Sequence, residues 1–427
     1  MYAPFRACLR FSSRISFLAV VLALGIVLSV NDVVATESDP RTAPDNAPGQ
    51  SAADCADCVR EPPLVAILLP TSGSHSFLGM AVHDELLEKL SPIKGVRVAV
   101  FDTAGTAQGA RRAAAEAVER QAAMMVGGIG DRETAEISQI ATREGVLFLT
   151  MGRSRLAAAA TTVFQTVASR EAVNRSLLAS LAASGKVPEC AIVIRRADAF
   201  GEAELAAFRG ALAGTPISFI GSRTAGGDSF DEGAFSTEVT SMLSSHRASH
   251  ACSTVLLHLA IDVPIARRLV DYLRFAGFFE QPGCGVVLSG TSLFNAPGLV
   301  AQSGQAFLGL VFVDIDVESS FGGRDDRFRA EASDLSDFAA RAATILAEGG
   351  AVPPPALMEG AVVSGRTGNL VVRNGRVEGH RLKFCTIGAR GIDCLAIEGP
   401  SDTREAAPAP EARGPDAPVP SESTLRK

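Results

Sequence analysis

Val65-Ala66-Ile67-Leu68-Leu69-Pro70-Thr71-Ser72-Gly73 opens the folded part of the chain. An apolar run of this length suits a strand buried on both faces, and Pro70 with the Thr-Ser-Gly that follows ends it in a turn. Met80–Leu90 then carries apolar residues at helical spacing. A buried strand feeding a helix is the first half of a βαβ unit.

The same pattern repeats outward from it. Apolar runs follow at Val96–Phe101, Met124–Val126 and Val146–Leu149. After a break come Ala191–Ile194, Ile217–Ile220, Thr254–Leu257, Val286–Leu288 and Leu308–Val313. Between them, Ala107–Arg120, Ala135–Glu144, Val173–Ser184, Glu202–Ala213 and Ile265–Ala276 have helical period. Strands alternating with helices predict an α/β fold of parallel sheets covered on both faces. Four runs lie before residue 150 and five after 190, so two doubly wound lobes are expected rather than one large sheet. Val163-Phe164-Gln165-Thr166-Val167 reads as an extended crossover between them. A late helix, Leu335–Glu348, and the segment Leu357–Val363 follow. The end, Leu370–Ile397, alternates in strand fashion and turns at Asn374-Gly375, as an antiparallel meander does.

Composition narrows the function. The 427 residues are 47% hydrophobic, with 40 Lys+Arg against 47 Asp+Glu and a net charge of −7. That excludes a fibre, a disordered chain and a multi-pass membrane protein, and argues against coating a nucleic-acid duplex. With 22 Phe, 2 Tyr and no Trp, any aromatic platform rests on Phe, here Phe200 or Phe294. The ends carry other signals. Arg6, Arg10 and Arg14 precede an uncharged run from Ile15 to Asn31, and Val33-Val34-Ala35 offers a signal-peptidase site. Residues 1–35 are therefore read as an export signal cleaved after Ala35, with a retained single-span anchor as the alternative. No Cys follows the apolar run, so no lipid anchor is expected. Residues 36–63 form a tether rich in Pro, Ala, Asp and Ser. Residues 399–427 form a similar tail, and neither can bury a core.

Cys8 leaves with the signal, and export favours disulfides among the other seven cysteines. Cys385 and Cys394 flank a hairpin turn and are read as a cross-strand pair. Cys190, Cys252 and Cys284 each precede an apolar strand, so two of them can pair if those strands are neighbours. Cys55-Ala-Asp-Cys58 lies in the tether. It is open to a local disulfide, free thiols, a redox pair or half a zinc site.

The layout resembles the type I periplasmic solute-binding proteins, in particular the branched-chain amino acid (Leu/Ile/Val) group. The motifs that carry the resemblance start with Pro70-Thr71-Ser72-Gly73 followed by Gly79. Next come Val126-Gly127-Gly128-Ile129-Gly130-Asp131, Gly145-Val146-Leu147-Phe148-Leu149-Thr150 and Val163-Phe164-Gln165-Thr166. Asp198-Ala199-Phe200-Gly201, Gly365-Arg366-Thr367-Gly368-Asn369-Leu370 and Asn374-Gly375 complete the set. The resemblance covers residues 64–398. It implies two doubly wound lobes joined by three crossovers, residues 64–166 with 316–370 and residues 167–315 with 371–398. The cleft between them would close on a ligand. It further implies a periplasmic protein that hands a small molecule (an amino acid, an amide or a short organic acid) to the membrane permease of an ABC-type transporter. Neither enzymatic activity, a cofactor nor nucleic acid is implied. A ligand-free regulatory or scaffold protein of the same fold, and a sensory binding partner, are the alternatives.

Within such a cleft, strand C-termini and helix N-termini face the ligand. The hydroxyls of Thr71, Ser72 and Ser74 are placed to join the backbone amides there, with helix capping as their competing role. Relatives that grip an amino acid use Ser/Thr in the two loops after the third and fourth strands. This chain has Asp131 in the first and Gly152-Arg153-Ser154 in the second. Phe200 takes the place of a Tyr. Ser289-Gly290-Thr291-Ser292 lacks the acidic residue that would meet an α-ammonium, for which Asp262 is the substitute. Arg153 and Arg132 can clamp an anion. His246 and His250 with Cys252 have metal-compatible spacing but sit where a helix gives way to a strand.

Overall fold

The computed structural model describes residues 61–153, 161–227, 230–296, 298–299, 301, 305–317, 324–349, 358–373 and 376–397. Residues 1–35, read as an export signal, residues 36–60 with Cys55 and Cys58, Ser154, Asn374-Gly375 and residues 399–427 lie outside them.

The chain runs β1 (Leu64–Leu69), α1 (Ser76–Leu90), β2 (Arg97–Asp102), α2 (Ala107–Glu119), β3 (Ala122–Gly127), α3 (Asp131–Glu144), β4 (Leu147–Thr150) and β5 (Val163–Gln165). It continues with α4 (Arg170–Ala183), β6 (Cys190–Arg195), α5 (Ala199–Leu212), β7 (Ser218–Thr224), α6 (Glu232–Arg247), β8 (Thr254–Ala260), α7 (Val263–Phe275) and β9 (Gly285–Gly290). Last come β10 (Val311–Ile315), α8 (Arg324–Ala347), β11 (Val362–Gly365), β12 (Gly368–Arg373), β13 (Arg376–His380), β14 (Leu382–Ile387) and β15 (Ile392–Ile397).

These strands form two sheets, ordered β11-β12-β13-β5-β4-β3-β1-β2 and β15-β14-β10-β9-β8-β6-β7. Around β1 and β6 all pairs are parallel, and the antiparallel pairs gather at the late edges. Every residue of β1 is buried because helices cover both faces. Val65, Ile67 and Leu69 pack with Val82, Leu86, Phe338 and Ala342. Their neighbours Ala66 and Leu68 face the opposite side and pack with Ala110, Ala114 and Phe148. The second sheet divides the same way, Ile192 and Leu257 packing toward Leu269 and Phe278, and Val193 and Leu256 toward Leu177 and Phe208. Each lobe is thus two cores back to back on one sheet. Among the described residues no helix is long and apolar enough to cross a membrane.

Two motif glycines have a steric reason. A Cβ on Gly79 would sit 2.0 Å from the Pro70 carbonyl oxygen, and one on Gly201 would sit 2.2 Å from that of Arg196. Each glycine lets the helix after β1 or β6 press against its own strand end, which brings the helix N-terminus to the rim between the sheets. Thr106, Ser169, Asp198 and Asp231 accept backbone N–H groups at the starts of α2, α4, α5 and α6.

Three features differ from the sequence reading. The last boundary between lobes was expected at 370/371. However, β13 pairs with β12 and β5 in the first sheet, so the chain changes sheet at Arg381. The alternating pattern of the meander looks the same whichever sheet it joins. Helix α8 begins at Arg324 rather than Leu335, since its charged first turns hide the apolar period. Strand β10 starts at Val311 and extends to Ile315, past the expected end at Val313.

Disulfides join Cys190 to Cys252 and Cys385 to Cys394, the latter between directly opposed residues of β14 and β15. Cys284 is a free thiol.

Candidate functional site

The loop after β1 is organised around Asp102, at the end of β2. Its Oδ1 accepts the backbone N–H groups of Thr71 (2.9 Å), Ser72 (3.2 Å) and Ala104 (2.9 Å), and its Oδ2 accepts the Ser72 hydroxyl at 2.5 Å. Burial opposes ionisation of this carboxyl, but the Ser72 hydroxyl and the three amides hold its pKa down to about 2. Thr71 and Ser72 therefore shape their own loop around Asp102. Ser74 is exposed beside His75, with its Oγ 3.4 Å from the ring Nδ1.

The space between the sheets is filled by charge. Asp131, the first residue of α3 in the first lobe, meets Arg170, the first residue of α4 in the second, at 2.6 Å. Arg170 also reaches the buried Glu204 of α5 at 2.6 Å and donates to the Arg153 carbonyl oxygen, back in the first lobe. The Arg153 guanidinium pairs with Glu331 of α8 at 2.5 Å. Glu331 is shared with Arg327 one turn earlier (3.1 Å), and Arg327 crosses to Asp314 of β10 in the second lobe at 2.6 Å. Asn295 completes Asp314 at 2.7 Å. Three guanidiniums and four carboxylates thus form one network across the two lobes.

Burial sets its electrostatics. It pushes the Glu204 carboxyl up, against the pull of Arg170. It also lowers the Arg153 guanidinium, against the pull of Glu331. At Glu331 burial works toward the neutral form, yet Arg153 and Arg327 prevail and hold the carboxyl below its ordinary range. At Arg327 burial is likewise outweighed, here by Glu331 and Asp314, which raise it. His380 lies beside this cluster. Burial brings it down to about 4, Glu331 pulling it up and Arg153 pushing it down. Its Nδ1 is 2.8 Å from the Thr367 hydroxyl, and its Nε2 is buried without a hydrogen-bond partner.

Arg153, Arg170 and Arg327 converge on a cavity of about 30 Å³ that Asn174, Thr291 and Asp314 also line. It has room for a couple of water molecules, whereas ligand pockets are roughly 300–1,000 Å³. A solute would have to part the lobes or displace an ion pair.

Of the residues expected from sequence, Arg153 and Thr291 line this cavity. Thr291 also accepts Leu293 N–H at the start of a 3-10 turn, Ser292–Phe294. Asp131 belongs to the adjoining ion pair. Phe200 is half-buried between the guanidiniums of Arg170 and Arg196, each 5.3 Å from the ring centre. Asp262 lies apart, bound to Arg196 at 3.0 Å. Phe294 packs edge-on against Phe307 in the second lobe's core, so it supplies no wall to the cleft. His246, in the last turn of α6, stacks on His250 just beyond the helix at 4.5 Å between ring centres, and Cys252 is committed to its disulfide. Arg170, Glu204, Asp314, Arg327 and Glu331 were not anticipated. One signal was readable: Asp314 interrupts the apolar run Val311-Phe312-Val313-Asp314-Ile315, and a charge inside a buried strand demands a partner.

Comparison with solved structures decides the fold. A leucine-binding protein from Thermotoga maritima shares 16% identity, with a TM-score of 0.56 over 80% of this chain and 99% of its own. An ABC transporter substrate-binding protein from Sphaerobacter thermophilus shares 15%, with a TM-score of 0.59 over 79% and 97%. The chain has the type I periplasmic binding-protein fold. A solute-binding protein of an ABC transporter from R. palustris, in complex with benzoate, aligns at 15% identity and a TM-score of 0.55, over 79% and 98%. No protein-family model matches the sequence, and no curated protein matches it. Within the binding-protein fold, the ion-pair network occupies the junction of the lobes.

Proposed function

We propose that the protein is the solute-binding component of an ABC-type transporter. In this reading it is a periplasmic receptor whose lobes close on a small organic ligand bearing a carboxylate and present it to a membrane permease. The observation that supports this most is the convergence of Arg153, Arg170 and Arg327, drawn from both lobes, on one cavity. Guanidiniums recognise carboxylates through paired, charge-assisted hydrogen bonds. A ligand carboxylate would take over the Arg153 or Arg327 contacts now made by Glu331. An ammonium would have to displace a guanidinium in the same way, because Asp131, Glu204, Asp314 and Glu331 are each bound to one. Benzoate in the R. palustris protein of the same fold is a carboxylate of suitable kind. The export signal read at residues 1–35 agrees with a periplasmic site.

The smallness of the cavity favours a second reading, a regulatory or scaffold protein that keeps the fold and takes no solute. A thermal-shift screen of the exported protein against carboxylates, amides and amino acids separates the two. Stabilisation by a carboxylate that disappears in Arg153→Met supports the receptor. A flat response across the panel leaves the scaffold.

A further inference from the structure

We propose that Arg170 and Arg327 are internal bolts that hold the lobes closed when no solute is bound. Each arginine is rooted in one lobe and reaches into the other. Arg170 starts α4 of the second lobe, pairs there with Glu204, and crosses to Asp131 and the Arg153 carbonyl of the first lobe. Arg327 lies on α8 of the first lobe, pairs there with Glu331, and crosses to Asp314 of the second. The bolts therefore run in opposite directions across the same junction.

Their placement corresponds to that of a ligand. Asp131 and Arg153 stand in the two loops of the first lobe that the family resemblance assigns to gripping a solute. Arg170 touches both of them, while the Phe200 ring packs against its guanidinium. The arginine thus supplies the contacts between lobes that a bound molecule supplies in a cleft closed by its ligand. Side-chain exposure is 9% at Arg170 and 17% at Arg327, so water screens both pairs poorly. On opening, each arginine keeps a carboxylate within its own lobe, while the released Asp131 keeps the Arg153 N–H and the released Asp314 keeps Asn295. The lobes can part with Arg170–Glu204 and Arg327–Glu331 intact, which makes the device reversible. It does not depend on the carboxylate reading. Where a solute does bind, its apparent affinity is reduced by the fraction of molecules that stay bolted.

Small-angle X-ray scattering on the full mature chain without added solute tests this. The wild type is expected to scatter as a closed molecule. Asp131→Ala/Asp314→Asn removes the far carboxylate of each bolt, leaves Arg170 only the Arg153 carbonyl across the junction, and spares both pairs within the lobes. It is expected to show a larger radius of gyration with unchanged circular dichroism. Should that chain fail to fold, Asp131→Asn/Asp314→Asn is the milder variant, with the same expected direction. A wild type as expanded as the folded variant, or a variant as compact as the wild type, overturns the bolt. A titration with benzoate keeps the two proposals apart. Expansion on mutation with no benzoate effect supports the bolt without the receptor. A wild type that is open until benzoate closes it supports the receptor and refutes the bolt.

Discussion

Arg153 and Glu331 offer the sharpest energetic test of the network. Both are nearly buried, at 19% and 8% side-chain exposure, and they meet at 2.5 Å. Removing one member of a buried pair costs about 3–5 kcal/mol, chiefly because the other charge is left uncompensated. Arg153→Met leaves Glu331 with Arg327 still at 3.1 Å, so the lower end applies, about 3 kcal/mol. That is roughly a 150-fold change in the folded-to-unfolded ratio. Glu331→Gln strips Arg153 of the carboxylate it pairs with and should cost about as much or more. The double variant removes both charges together and should cost only about 1–2 kcal/mol, giving a coupling of at least about 4 kcal/mol in a double-mutant cycle. Urea denaturation monitored by circular dichroism measures all four chains. The pH dependence adds a sign. Glu331 is held below its ordinary range, so its contribution is present above the unfolded carboxylate pKa and is lost as pH falls through the folded one. Arg153→Met lessens that depression, so its deficit should be larger at pH 7 than at pH 4. A double variant as unstable as the sum of the singles would show that Arg153 and Glu331 are not coupled, and a deficit that grows on acidification would show that Arg153 does not hold Glu331 ionised.

Other outcomes follow from particular residues. Burial brings His258, stacked on Phe208, down to about 3. The unfolded chain therefore takes up a proton there first, and stability should fall as pH drops below about 6.5, by up to roughly 1.4 kcal/mol per pH unit from this group. His258→Gln should flatten that slope, as read by urea melts between pH 4 and 7. The Cys190–Cys252 bridge spans 62 residues and Cys385–Cys394 spans 9. Loop-closure entropy then puts the loss of the first at about 4 kcal/mol and of the second at about 3 kcal/mol, measurable with paired Cys→Ala variants. Gly79→Ala forces a Cβ to 2.0 Å from the Pro70 carbonyl oxygen. It should lower the melting temperature clearly, while alanine at the exposed Gly185, with no atom within 4 Å of its Cβ but φ at +72°, should cost only about 1 kcal/mol.

The fold was legible because it is written in short-range patterns. Runs such as Val65–Leu69 and Ala191–Ile194 are apolar at every position, which only a sheet covered on both faces explains. Gly79 and Gly201 fall where helix and strand backbones touch. The last crossover was not legible, because β12 and β13 alternate identically whether they extend the first sheet or the second. The site was partly legible. Asp131, Arg153 and Thr291 fall at strand ends, where a cleft in this fold lies. Arg170 and Glu331 sit in helices whose composition makes them look like solvated charges. Only the three-dimensional arrangement brings residue 153 to residue 331, or 131 to 170. Phe294 was misplaced because a strand-end aromatic can turn into the core as readily as into the cleft, and here it packs on Phe307.

The proposed receptor role requires that the guanidiniums between the lobes receive a carboxylate. Isothermal titration calorimetry of the protein with benzoate and with benzamide, which share a ring and differ in charge, tests that requirement. Saturable heat is expected with benzoate and none with benzamide, and the benzoate signal should be lost in Arg153→Met. Equal binding of the two compounds, or benzoate binding untouched by that substitution, would contradict it.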